Sequence, residues 1–134
     1  MKFTIPTDPV PWARPRFVRR GGKMIGYTVP KVQAYEQTVK LLAIAAGIRP
    51  LSGPVSMSID FHFAVPKSLE RKRKPVEGGW HTKKPDADNL AKAILDALNG
   101  VAYDDDAQVA WMRLRKFRLP QGEIGHVDVE VSEL

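Results

Sequence analysis

The segment VSMSIDFHF (55–63) alternates apolar and polar residues without a break. Val55, Met57, Ile59, Phe61 and Phe63 project to one side, and Ser56, Ser58, Asp60 and His62 to the other, which predicts a half-buried strand. The same period recurs as Val127, Val129 and Val131 in IGHVDVEV, while KFTI (2–5) and QVAWMRLRKF (108–117) read as two more strands. RFVRRGGKMIGYTV predicts a hairpin turning at Gly21-Gly22. Two stretches switch to the helical period. In PKVQAYEQTVKLLAIAAG, Pro30 suits the first helical position, Gly47 stops the run, and Val32, Tyr35, Val39, Leu42 and Ala46 form one stripe. A second helix is expected from about Asp88 to Asn99, burying Leu90, Ile94, Ala97 and Leu98 and ending before Gly100. Pro66 to Pro85 keeps no period and reads as a long, basic, flexible loop. The order predicts a single α+β domain over residues 1–134, with a mixed β-sheet and two main helices packed on one face.

Composition narrows the setting. A chain of 134 residues suffices for one real core but not two. No apolar run approaches the ~20 residues that span a bilayer, and the N-terminus lacks a signal-peptide pattern, so a cytoplasmic protein is expected. The absence of cysteine excludes disulfides and thiolate metal sites. A net charge of +6 points to a polyanionic partner, nucleic acid before membrane.

The distribution of charge says more than its sum. Met1 to Lys31 carries Arg14, Arg16, Arg19, Arg20 and three lysines against Asp8 alone, and Lys67 to Lys84 carries Arg71, Lys72, Arg73, Lys74, Lys83 and Lys84 among its cations. KKPDADNLAKAILDALNGVAYDDDAQV (83–109) then reverses the sign, with six aspartates after the two leading lysines and Lys92 alone among them. Like charges held close destabilise a fold unless something offsets them. Asp86 and Asp88 fall at the start of the second helix, where backbone N–H groups favour anions, and Asp88 suits an N-cap. Asp88, Lys92 and Asp96 share one helix face. Asp104, Asp105 and Asp106 join that helix to the next strand, as a solvated turn or as a second acid group. Were the strand to lie beside the helix start, Asp86, Asp88 and Asp106 would converge. Oxygen ligands without histidine or cysteine suit Mg²⁺, with Mn²⁺ as a substitute. Carboxylates flanked by cations are the charge layout of a metal-dependent nuclease, with Lys92 placed to meet phosphate charge.

KPDADNLAKAILDALNGVAYDDDAQV resembles the signature of RusA-type Holliday junction resolvases: a D-x-D-N pair, a lysine four residues after its second aspartate, then D-D-x-Q-V. The likeness extends to PVPWARPRF and YTVPKVQAYEQ, as in the phage and prophage branch. It implies three acidic Mg²⁺ ligands at Asp86, Asp88 and Asp106, and an essential lysine at Lys92. This chain has three aspartates where the second acidic block usually has two; register against AQV selects Asp106, with Asp105 its competitor. The resemblance further implies a homodimer that makes paired, symmetric nicks across four-way branched DNA. A two-fold dimer supplies the second site that two strands require. Alternatives are a branched-DNA nuclease of broader specificity and a catalytically silent junction-binding protein.

Other residues carry two readings each. Arg71, Lys72, Arg73, Lys74, Lys83 and Lys84 would meet phosphates or form a solvated charge run. Arg14 and Arg16 suit DNA or a dimer salt bridge. Trp80 is a stacking residue or packs on the domain, with packing favoured. Trp111 and Phe117 are expected in the core, His81 beside the D-x-D pair as a possible proton carrier, and His62 and His126 as structural or solvated.

Overall fold

The computed structural model describes residues 1–134 and confirms the α+β architecture. A five-stranded mixed sheet runs in the order β1 (Lys2–Ile5), β7 (His126–Glu133), β4 (Val55–Phe63), β6 (Val109–Arg118), β5 (Gly79–Trp80). Only β4 and β6 are parallel; the other neighbours are antiparallel. The parallel pair needs a crossover, and helix α2 (Ala87–Ala97) lies within it. Helix α1 (Pro30–Ala45) packs against α2 and β1. The alternation read from the sequence holds: Val55, Met57, Ile59 and Phe61 of β4 and Val127, Val129 and Val131 of β7 are buried with Leu90, Ile94, Ala97 and Leu98 of α2. Burying each such side chain contributes roughly 1.5–3 kcal/mol, so this layer holds the domain together. On α1 the stripe drifts: Ala43 joins Val32, Tyr35 and Val39 in the core, while Ala46 is exposed. No helix is long and apolar enough to cross a membrane.

The other sheet face has no helix on it, and strand register arranges its side chains in rows. His126, His62, Phe117 and Trp80 stand side by side across β7, β4, β6 and β5. Their rings stack at centroid distances of 4.1, 5.1 and 5.0 Å. The next row is Thr4, Asp128, Asp60 and Arg115. Trp111 belongs to this face as well, beside Ser56, and is 50% exposed, so the expectation of a core tryptophan fails. A register shift between Val55 and Ser56 is the reason. Val109 pairs with Val55, but Trp111 pairs with Ser56, so the extra residue Ala110 flips every later side chain of β6 to the opposite face. Phe117 is half-buried in the ring row instead of in the core. Trp80 does pack, against Phe117, yet remains 65% exposed.

The predicted hairpin forms a separate two-stranded ribbon, β2 (Arg16–Arg20) and β3 (Lys23–Tyr27). Gly21 and Gly22, both at positive φ (57° and 77°), make the primed turn that matches strand twist. Every residue of the ribbon is exposed, including Phe17, Met24 and Ile25.

Residues 66–85 are more structured than their composition suggests. They include a 3₁₀ turn (Lys67–Leu69) and strand β5. The side chain of Gln121 accepts from the backbone N–H groups of Arg71 and Val76 and donates to the Arg71 carbonyl.

Candidate active site

Helix α2 begins one residue earlier than the sequence suggests. Asp86, not Asp88, is the N-cap, and its side chain makes no capping hydrogen bond. Asp88 stands in the first turn, and both residues are exposed. Two free carboxylates at the positive end of a helix dipole are stabilised there without being consumed as caps. Lys92 follows one turn later. Its Nζ lies 4.9 Å from the centre of the Trp12 ring, a cation–π contact, and the Trp12 backbone N–H donates to the Asn89 carbonyl at 2.9 Å. The proline-stiffened PVPWARPRF segment is thereby docked on α2, which fixes the ammonium in place.

The acidic turn is built by side chains that the sequence reading passed over. Gln108 Oε1 accepts from the N–H groups of Asp104 (2.9 Å) and Asp105 (3.2 Å), while its Nε2 donates to the carbonyls of Leu51 (2.9 Å) and Gly53 (3.0 Å). Asn99 Oδ1 accepts from the Asp106 N–H at 2.9 Å. Tyr103, fully buried, donates its hydroxyl to the Leu95 carbonyl at 2.8 Å and ties the turn to the end of α2.

The three aspartates then differ. Asp104 is exposed. Asp105 caps the short 3₁₀ turn Asp106–Gln108, accepting from the Ala107 N–H at 3.1 Å, and this bond leads the causes that hold its carboxyl below the usual range. Asp106 is half-buried, and its carboxyl is pushed up by burial first, then by Asp105 and Asp96, with Lys92 partly offsetting. Glu36 of α1 is raised in the same way, by burial and then Asp96, with Lys92 again opposing. Lys92 is thus the cation around which Asp96, Asp106 and Glu36 gather. Asp96 and Glu36 were not picked out as site residues. The helical spacing of Asp96 from Lys92 carried a signal, whereas Glu36 is brought in only by the packing of α1 on α2.

Asp86, Asp88 and Asp106 do not form a closed ligand set. The only trio of His, Asp or Glu side chains whose donor atoms all lie within 4.8 Å is His62, His126 and Asp128, on the uncovered sheet face. His81 is occupied structurally: its ring stacks on Phe63 at 4.0 Å and its Nε2 contacts the Lys84 carbonyl at 3.2 Å. Arg14, Arg16, Arg71, Lys72, Arg73, Lys74, Lys83 and Lys84 are all exposed. Asp60–Arg115 is the one lysine or arginine ion pair with a carboxylate in the chain, so none of these eight cations is neutralised by a carboxylate partner.

Residues 6–132 match the family model described as Endodeoxyribonuclease RusA. The chain belongs to the RusA endodeoxyribonuclease family. One relative, the "Uncharacterized protein YqaN" of Bacillus subtilis (strain 168), is 36% identical over 142 aligned positions, covering 100% of this chain and 96% of its own length. Another, the "Crossover junction endodeoxyribonuclease rusA" of Lactococcus phage r1t, is 29% identical over 82 positions, covering 60% of this chain and 56% of its own. In this RusA-family chain the acidic turn, Lys92 and the D-x-D pair all lie within the matched residues.

Proposed function

We propose that the chain is a divalent-metal-dependent endodeoxyribonuclease that resolves four-way DNA junctions, acting as a homodimer that nicks two opposed strands. The observation that carries this reading is the half-buried Asp106, its backbone N–H held by Asn99 and its carboxyl set among Asp105, Asp96 and Lys92. A carboxylate kept among like charges is relieved by a cation, and all-oxygen donors fit a hard ion such as Mg²⁺ or Mn²⁺. Asp86, Asp88 and Asp106 would hold it, since Asp105 already has Oδ1 engaged by the Ala107 N–H. The ion supplies a lowered pKa for the attacking water and neutralises charge on the phosphoryl oxygens. Lys92, oriented by Trp12, stabilises the negative charge that builds on the phosphate. The unpaired cations of residues 14–20 and 71–84 neutralise backbone phosphates away from the reacting bond.

The homodimer is supported by the β2–β3 ribbon. An isolated two-stranded hairpin is marginal in water, and this one exposes Phe17, Met24 and Ile25 beside four cations. A second copy covers such side chains at little cost. The name of the phage relative, a crossover junction endodeoxyribonuclease, supports a DNA junction as substrate.

The test is a four-way junction labelled on each strand, incubated with and without Mg²⁺. Paired, opposed nicks that require the ion are expected. Binding without cleavage in Mg²⁺ or Mn²⁺ would leave a junction-binding protein, and equal cutting of flaps would leave a branched-DNA nuclease.

A further inference from the structure

The uncovered sheet face carries a second donor set, distinct in chemistry from the acidic one. His62 of β4 and His126 of β7 are cross-strand partners, stacked at 4.1 Å, and Asp128 lies two residues along β7 on the same face. Asp128 Oδ2 is 3.3 Å from His62 Nε2 and 3.7 Å from His126 Nε2. Around a tetrahedral ion with bonds of about 2 Å, neighbouring donors sit about 3.3 Å apart, the distance of Asp128 Oδ2 from His62 Nε2, and the two near-parallel rings, 15° apart, need only turn toward each other for both to face one ion.

Two of the three ligands are held by a partner on their other side. His126 Nδ1 lies 3.0 Å from the Ile124 carbonyl. A carbonyl only accepts, so Nδ1 carries the hydrogen, and in the neutral ring Nε2 bears a lone pair directed at a carboxylate. Two electron donors facing each other repel unless a proton or a metal ion lies between them. Asp128 Oδ1 accepts from the Thr4 hydroxyl at 2.7 Å, which turns Oδ2 toward the histidines. His62 Nε2 is shielded from solvent and has no hydrogen-bond partner, its distance to Asp128 notwithstanding. Such outer partners orient metal-bound histidines and carboxylates and fix their tautomers.

We propose that His62, His126 and Asp128 bind one borderline divalent ion of the Zn²⁺ class, clamping β7 to β4 on the face opposite the helices. Imidazole nitrogen selects this class over Mg²⁺. Three protein ligands leave the fourth position to water.

The test uses the tag-free full-length chain, stripped with chelator and titrated calorimetrically with Zn²⁺ alone, with Co²⁺ absorption as a second readout. One ion per chain is expected, with a raised melting temperature and tetrahedral Co²⁺ bands. His126→Gln should weaken binding more than ~100-fold, and Thr4→Val by about 10-fold, because outer-partner loss costs roughly 10–100-fold. Asp106→Asn should leave Zn²⁺ affinity unchanged. No binding by the parent chain, or binding that survives His126→Gln with native circular dichroism, overturns the proposal. Loss of binding in Asp106→Asn alone would place the ion at the acidic turn and also overturn it.

Discussion

Asp106 and Asp128 belong to the same domain, yet their surroundings differ in kind. Asp106 precedes β6 on a turn, among Asp105, Asp96 and Lys92, with no histidine near it and no closed ligand set. Asp128 sits within β7, one oxygen held by Thr4 and the other between two imidazoles. The first arrangement is open and all-oxygen, suited to an ion that keeps waters and meets a phosphate. The second is compact and pre-oriented, suited to an ion that holds strands together. The difference teaches that acid count is a poor guide to ion class, and that donor type and openness decide it.

The widest separation between the two sites should come from removing their ions' ligands. Asp106→Asn is expected to lower junction cleavage by on the order of 10³-fold while gel-shift binding to the junction persists. A variant that still cleaves within tenfold of the parent would remove Asp106 from the metal set. Lys92→Met should cost about 10²-fold in the cleavage step under single turnover, with binding little changed, because the charge it offsets develops in the transition state. A loss confined to binding would instead make Lys92 a phosphate anchor. His126→Gln should leave Mg²⁺-dependent cleavage within about twofold, since nothing in the acidic site touches the uncovered face.

Much of this was legible from pattern alone. The strict alternation in β4 and β7 and the stripe of α2 fixed the sheet and its buried face, because period reports burial directly. The acidic segment holding the D-x-D pair, Lys92 and Asp104 to Asp106 stood out as charge out of place, and the resemblance picked Asp106 from the triplet. Three things were not. A one-residue bulge at Ala110 reverses the facing of Trp111, and no propensity announces a bulge. Gln108 stood in the D-D-x-Q-V motif without a role and Asn99 looked like an ordinary polar residue, although their side-chain bonds build the turn. The approach of His62 to His126 depends on β4–β7 register across 64 residues of sequence, which only the folded sheet supplies.

Asp105 offers an intermediate test inside the acidic turn. If it is a cap and Asp106 a ligand, Asp105→Ala should lower the melting temperature slightly through the lost bond to Ala107. Cleavage should fall far less than in Asp106→Asn. Equal losses in both variants would mean that the adjacent carboxylates share the ion.

The smallest effects concern the rows of the uncovered face, in chelated protein. Arg115 donates from Nε and Nη2 to the two oxygens of Asp60 at 2.7 and 2.6 Å, and this holds the Asp60 carboxyl below its usual range. A folded-state value below the unfolded one means that stability is present above about pH 4 and is lost as pH falls through the folded value. Solvent screening of this partly exposed pair limits the contribution to at most about 1 kcal/mol. His62 is also depressed, by burial first and then by His126, and the sense is the same, in a higher pH window. Its protonation favours the unfolded chain, so its contribution is present above about pH 6.5 and is lost as pH falls below that value. Thermal melts between about pH 3 and 8 should therefore show two separate declines. His62→Gln should remove the upper one and Asp60→Asn the lower. A single decline insensitive to His62→Gln would show that the buried imidazole is not held neutral.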